Sequence, residues 1–210
     1  LLADEESADN EIVLTSGKSY SNVFHKKGGS ASFSVMANTL RGVYGTDVLL
    51  ATANSFTGSV LQADYNQKMA ASMIMPNGLM SRRRTMTGAE LKETVRAFVE
   101  GCEGGFVPFN RGSLPVVSGI AVEVKEAGGS YTLTGITRNG QPLREDDTFT
   151  VTCLATTKQM TAVFADESRA VTDEGTWVKD AWRDYVSGGG AALAEPENYK
   201  IGRASCRERV

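Results

Sequence analysis

A helix with a defined start and a defined end lies in the middle of the sequence and limits what the chain can fold into. Glu90 follows Thr87 by three residues, the capping-box spacing that satisfies free backbone amides at a helix start. Gly101 supplies the stop. We predict an amphipathic helix over residues 88–100 that packs on a further layer of structure. Its apolar stripe consists of Leu91, Val95, Phe98 and Val99.

The first third of the sequence shows helix and strand patterns in turn. DVLLATA, residues 47–53, is a short apolar run typical of a strand that is buried on both faces. A helix is expected to begin at Ser30 or Ser32 and to end at Gly45, because its apolar residues repeat with helical spacing. We also expect a strand at residues 11–16 and a helix at residues 63–75, terminated by Pro76.

The last third is dominated by alternating strands. The segments at residues 116–124, 131–138 and 148–155 alternate apolar and polar side chains, and glycine turns, Asn139-Gly140 among them, separate them. Antiparallel hairpins and a final helix over residues 176–187 follow. The whole pattern predicts one α+β domain with a mixed or antiparallel sheet and about four helices.

Three segments with different expectations make up the chain. Residues 1–29 are expected to be a truncated lead, linker and first strand, since the acidic start lacks Met. Residues 30–200 are expected to form the domain. Residues 201–210, IGRASCRERV, resemble translated sequencing adapter, the alternative being a genuine basic tail. Cys102 and Cys153 then remain, either as a disulfide or as two buried thiols.

Composition argues against several classes of function. A net charge of −3 does not suit a nucleic-acid-binding protein, and the run Arg82–Arg84 is expected to face solvent. The sequence has no transmembrane stretch of roughly 20 apolar residues. His25 is the single histidine, which excludes most histidine-based metal sites, and nucleophile-elbow, Walker A and Rossmann motifs are absent. Asp146-Asp147 is expected to lie in a turn between strands and not to act as a general acid and base. We therefore predict no autonomous catalytic site.

Three segments in order carry a resemblance to a known family. MTGAELKETV, VSGIAVEV and GQPLREDDTFTVTC resemble a helix start and two strand segments in the C-terminal domain of bacterial 5′-nucleotidases and UDP-sugar hydrolases. The similarity extends from about Ser30 to Tyr199. It implies a 5′-nucleotidase C-terminal-like fold, divergent in the loops that contact substrate.

The resemblance implies a division of labour. In that family an N-terminal metallophosphoesterase domain holds two divalent metal ions and hydrolyses the substrate, while the C-terminal domain contributes the nucleoside pocket. The chain would hold no cofactor, would be inactive alone, and would have the N-terminal domain and a nucleotide or related phosphoester as partners. An extracellular, periplasmic or cell-surface location is implied as well.

The candidate substrate-binding residues are those that match the family's pocket positions. Asn54 matches the asparagine of an N-G-G-x-x-R loop whose arginine is absent here, and Phe56 lies in the same loop. Asn77 and Phe164 occupy the positions of the two stacking aromatic rings. Two of them have a simpler alternative: Phe56 as a core residue and Asn77 as a turn former. Phe164 matches the family in position but lacks the glycines of the family's loop.

Three functions remain open from the sequence. The first is the substrate-recognition domain of an exported metal-dependent 5′-nucleotidase. The second is a degenerate domain that is retained for interdomain packing or surface binding. The third is a free-standing ligand-binding module. The resemblance favours the first.

Overall fold

A computed structural model of the chain describes residues 11–23, 29–74, 80–101, 115–127, 130–154, 176–189 and 191–195. The strands in these ranges are β1 (Ile12–Ser16), β2 (Val48–Thr52), β3 (Ala63–Asn66), β4 (Arg82–Thr87), β5 (Pro115–Ser118), β6 (Ala121–Ala127), β7 (Ser130–Arg138), β8 (Gln141–Pro142), β9 (Thr148–Cys153) and β10 (Ala191–Ala192). The helices are α1 (Ala31–Tyr44), α2 (Gln67–Ala71), α3 (Gly88–Glu100) and α4 (Val178–Ser187).

A four-stranded mixed sheet forms the centre of the domain. Its strand order is β4-β9-β2-β5, with β2 parallel to β9 and antiparallel to β5. Residues 48–51 of β2 are fully buried, as the apolar run predicts. Helix α1 packs on β2 and β5, and α3 packs on β4 and β9. The α+β prediction with about four helices is confirmed.

Two smaller three-stranded sheets flank the central one. The first has the order β10-β1-β3, and the second is the meander β6-β7-β8. The turn between β7 and β8 is Asn139-Gly140, and both residues have positive φ, at 52° and 78°. This is the backbone geometry for which the Asn-Gly pair is favoured in two-residue hairpins.

The helix ends follow the sequence signals closely. In α3 the Thr87 amide donates to the Glu90 carboxylate at 2.8 Å, and the Glu90 amide donates to Thr87 Oγ1 at 3.3 Å. Of the two candidate caps of α1, Ser30 is the one used, accepting from the Phe33 amide at 3.3 Å. Gly45 ends α1 with a φ of 60°. Short-range capping chemistry therefore fixes both helices.

Two predicted elements are wrong. Residues 63–66 are a strand rather than helix, because they pair with β1 and Asn66 then caps the short α2 through the Met69 amide. The expected single strand over residues 116–124 is two strands, since Gly119 has a φ of 85° that an extended strand cannot continue. Strand β9 also does not join the expected hairpins with β6 and β7, because it pairs with β2 and β4.

The arginine run does not face solvent as expected. Arg84 is 0% exposed and Arg83 is also buried, while Arg82 alone of the three is exposed. The Arg83 guanidinium donates to the Tyr44 carbonyl at 2.8 Å, and that of Arg84 donates to the Arg83 carbonyl at 2.8 Å. These bonds offset part of the free-energy cost of burying each guanidinium.

Cys153, one of the two cysteines expected to be native, is buried in β9. Cys102 lies outside the described residues, so the expected state of the pair stays a prediction.

A hydrogen-bonded junction at the start of β2 ties the hairpin sheet to the central sheet. Asp47 accepts from the Arg138 guanidinium at 2.8 Å and from the Thr150 amide and hydroxyl at 2.9 and 3.0 Å. The Arg138 guanidinium also lies over the Phe149 ring, 5.1 Å from its centroid. Partial burial alone would raise the pKa of Asp47, but the bonds from Thr150 and Arg138 outweigh it and lower that pKa.

We expect Asp47→Asn to destabilise the domain at pH 7 by about 1–2 kcal/mol, a modest value because both ionic side chains are partly exposed. The folded-state pKa of Asp47 lies below its unfolded value of about 3.9, so this contribution is present above that pH. It is lost as pH falls through the folded pKa. Urea denaturation of both proteins from pH 7 to pH 3 measures the difference, and a gap that does not narrow toward pH 3 contradicts the account.

Substitution of two helical glycines by alanine should change the stability of the domain in opposite directions. A Cβ at Gly88 would clash with the Arg144 carbonyl oxygen, whereas one at Gly42 would meet nothing within 4 Å. We expect Gly88→Ala to destabilise by about 1–3 kcal/mol through overpacking against backbone. Gly42→Ala is expected to stabilise by roughly 0.5–1 kcal/mol. Urea melts compare them, and a loss of stability for both variants would show that the contact at Gly88 is not the cause.

Candidate functional site

The loop after β2 presents one predicted site residue to solvent. Ala53–Ser55 forms a single 3₁₀ turn in which Asn54 is exposed while Ala53 and Ser55 on either side are buried. The Phe56 amide closes the turn by donating to the Ala53 carbonyl at 3.3 Å. The Asn54 amide group therefore projects from a loop that is held at both of its neighbours.

Phe56 lies deeper than Asn54. Its ring is 4% exposed and stacks on Phe33 of α1, with centroids 5.9 Å apart and an interplanar angle of 28°. In this position the ring anchors the loop in the core. A contact between Phe56 and a substrate stays a prediction.

The other two predicted site residues, Asn77 and Phe164, lie outside the described residues. Residues next to the segments that contain Asn77 and Phe164 are described, and they form backbone contacts. Ile74 forms an isolated β-bridge with Phe56, and Met80 forms one with Trp177. The Ser81 amide donates to the Thr176 carbonyl at 3.0 Å. Ile74 therefore lies beside the Asn54 loop, while Met80 and Ser81 lie beside Trp177 and Thr176.

Strand register explains why β2 and β9 end where β4 begins. Cys153, the last residue of β9, pairs with Leu50 of β2 on one side and with Arg82, the first residue of β4, on the other. The Leu154 amide extends the β2–β9 pairing by donating to the Leu50 carbonyl at 2.8 Å. We call this edge of the central sheet, where β2 and β9 end and β4 begins, the carboxyl edge. Asn54 follows β2 at this edge, and Met80, which precedes β4 there, pairs with Trp177.

An aromatic residue at the carboxyl edge was missed by the sequence analysis. Trp177 is 46% exposed, and its bridge partner Met80 is 42% exposed. Trp182, one turn into α4, is by contrast fully buried and donates its indole N–H to the Ala70 carbonyl at 2.8 Å. The available signal was the position of Trp177, which falls outside the apolar stripe of the helix.

The groups at the carboxyl edge suit binding rather than acid–base chemistry. Asn54 offers an amide donor and acceptor, and Trp177 offers a planar ring face. Asp47, whose pKa is lowered, lies at the opposite end of β2. Across the described ranges, no cluster of three or more His, Cys, Asp or Glu side chains is placed to hold a metal ion. The described side chains at the carboxyl edge do not fit a metal centre.

Within the part of the chain that the structure describes, no helix has the length and apolarity required to cross a membrane.

Neither family models nor curated proteins give a match to this sequence. Solved structures do match. NAD nucleotidase (NadN) of Haemophilus influenzae shares 15% identity at a TM-score of 0.66, over 95% of this chain and 39% of that one. A 5′-nucleotidase precursor from Thermus thermophilus shares 13% identity at a TM-score of 0.62, over 92% of this chain and 39% of that one.

A third match is the sulfate thiohydrolase SoxB of Thermus thermophilus, with 15% identity and a TM-score of 0.66 over 96% of this chain and 37% of that one. The chain thus spans less than half the length of these proteins. The likeness establishes the fold, which is that of a part of each of these three proteins. Because the names of the three proteins indicate different substrates, this fold alone does not determine what is bound.

Proposed function

We propose that the chain is the substrate-recognition domain of an exported, metal-dependent hydrolase of the 5′-nucleotidase type. The Asn54 loop follows β2, and Trp177 lies beside the residues that precede β4; their position at the same edge of the central sheet is the observation that carries the proposal. Ligands commonly bind outside the carboxyl ends of parallel strands, where successive connections diverge. The fold shared with NAD nucleotidase and 5′-nucleotidase supports a nucleotide as the ligand.

The Asn54 loop is suited to recognition because the residues on either side of Asn54 are buried. Ala53, Ser55 and Phe56 are buried around the exposed Asn54, so the loop loses little conformational freedom when it binds. In this proposal the Asn54 amide hydrogen-bonds polar atoms of the nucleoside. Phe56 acts as a positioning residue by anchoring the loop.

Trp177 supplies the apolar part of the same surface. Its partly exposed indole, beside the partly exposed Met80, offers a ring face to a planar base. Stacking of a base on an aromatic side chain contributes about 1–3 kcal/mol. Asn77 and Phe164 complete the proposed pocket.

Hydrolysis itself is assigned to a partner domain. An N-terminal metallophosphoesterase domain of the same protein, with two divalent metal ions, would cleave the phosphoester, and this chain alone would be inactive. The location proposed for the whole protein is extracellular, periplasmic or on the cell surface.

The second candidate is a degenerate domain that packs on a neighbouring domain or surface without binding nucleotide. The buried position of Phe56 favours it, because that ring presents no free face to a base. Ser59, at the position of the missing loop arginine, favours it further, since a hydroxyl does not replace a charge-assisted phosphate contact.

Titration of the chain with AMP, followed by two-dimensional ¹H–¹⁵N NMR, distinguishes the two candidates. We expect saturable shifts at the Asn54 side-chain amide and the Trp177 indole N–H. The Trp182 indole, which is buried and bonded to Ala70, should not move and serves as the internal control. Absence of shifts with AMP, adenosine and UDP-glucose at millimolar concentration contradicts nucleotide recognition and supports the degenerate domain.

Two substitutions should weaken this binding without unfolding the protein. Trp177→Ala removes the stacking surface and should raise the Kd for AMP roughly tenfold, and Asn54→Ala should raise it about fivefold. Lys68→Gln, an exposed change on α2, is the matched control and should leave the Kd unchanged. Equal affinities in all variants would place the ligand elsewhere.

A further inference from the structure

A second concave site lies between α3 and the β7–β8 hairpin. A partly open cleft of about 200 Å³ is walled there by the apolar side chains of Leu133, Ile136 and Leu143. Lys92 and Arg96 of α3 also line it. None of its lining residues belongs to the carboxyl edge, so the cleft is independent of the proposed nucleotide site.

A β-bulge builds the apolar wall. Glu123 pairs with Gly135 and Val124 pairs with Leu133, which leaves Thr134 as an extra residue in β7. Leu133 and Ile136 are three residues apart and would point to opposite faces of a regular strand. The extra residue lets both side chains line the same cleft, where they are only half-buried. Thr134, the extra residue of the bulge, is tied to β6 because its hydroxyl donates to the Glu123 carbonyl at 3.1 Å.

The size of the cleft matches a single ring. An apolar cavity of about 150 Å³ accommodates benzene, so the volume here accommodates a ring with one small substituent. Half-buried Leu133 and Ile136 would gain apolar contact from such an occupant. An apolar occupant alone, however, would leave Lys92 and Arg96, which also line the cleft, without a role.

The cations favour an anionic substituent on that ring. Lys92 and Arg96 are one helical turn apart and therefore lie on the same face of α3. Their present partners are exposed carboxylates: Glu145, 3.5 Å from the Lys92 ammonium, and Glu93, beside the Arg96 guanidinium. Exposed ion pairs of this kind contribute little to stability, so a ligand anion can replace these partners at small cost.

We propose that this cleft binds a small organic anion with a ring-sized apolar body, such as an aromatic carboxylate. The ring lies against Leu133, Ile136 and Leu143, and the carboxylate accepts hydrogen bonds from Lys92 and Arg96. The site requires nothing of the nucleotide pocket and takes a different class of ligand.

The test compares benzoate with benzyl alcohol, which has the same ring and no charge. Titrations of the full chain by ¹H–¹⁵N NMR should show saturable benzoate shifts at residues 92, 96 and 133–136, with a Kd for benzyl alcohol at least about tenfold weaker. Lys92→Gln and Arg96→Gln should each weaken benzoate binding by about fivefold to tenfold. Lys68→Gln, an exposed lysine outside the cleft, should have no effect.

Three results would overturn the proposal. The first is an absence of saturable shifts at millimolar benzoate, and the second is equal affinity for benzoate and benzyl alcohol. The third is a benzoate response at Asn54 and Trp177 in place of the cleft. All three leave the AMP titration unaffected, so failure of this site and failure of the proposed function are distinguishable.

Discussion

The parallel pairing of β2 with β9 is the constraint on which the rest of the structure depends. Parallel strands end at the same edge of a sheet, so this pairing places the loop after β2 and Leu154, which follows β9, at one edge. Strand β4, antiparallel to β9, begins at that edge. Asp47 secures the opposite end of β2 through Thr150 of β9, which lies 103 positions further along the chain. Loss of this pairing would disconnect the strand that precedes Asn54 from the β9–β4 pair, beside which Trp177 lies.

Local signals predicted much of the fold. The capping box at Thr87 and the Asn139-Gly140 turn are confirmed because their hydrogen bonds and backbone angles involve neighbouring residues. The sequence did not predict the parallel partner of β9 or the burial of Arg84, since both depend on segments far away in the chain. Residues 63–66 were assigned to a helix because a strand that pairs with β1 carries no local signature of that pairing.

The candidate site was predicted unevenly for a similar reason. The resemblance located Asn54, which the structure places on an exposed turn. It gave no indication of Trp177, whose partner Met80 comes from a different part of the sequence. Phe56 is the instructive case: the resemblance proposed its loop as a substrate loop, which stays a prediction, while its buried ring stacks on Phe33. A family pattern can propose a loop, but packing determines which side chain in that loop is accessible.

The central claim is that the carboxyl edge forms one binding surface for a nucleotide. A crystal structure of the chain soaked with AMP tests it most directly, because it gives the position of the ligand atom by atom. The account predicts an adenine ring stacked on Trp177 and a polar ligand atom within hydrogen-bonding distance of the Asn54 amide. A nucleotide bound elsewhere, or a fully soaked crystal with an empty carboxyl edge, would contradict it.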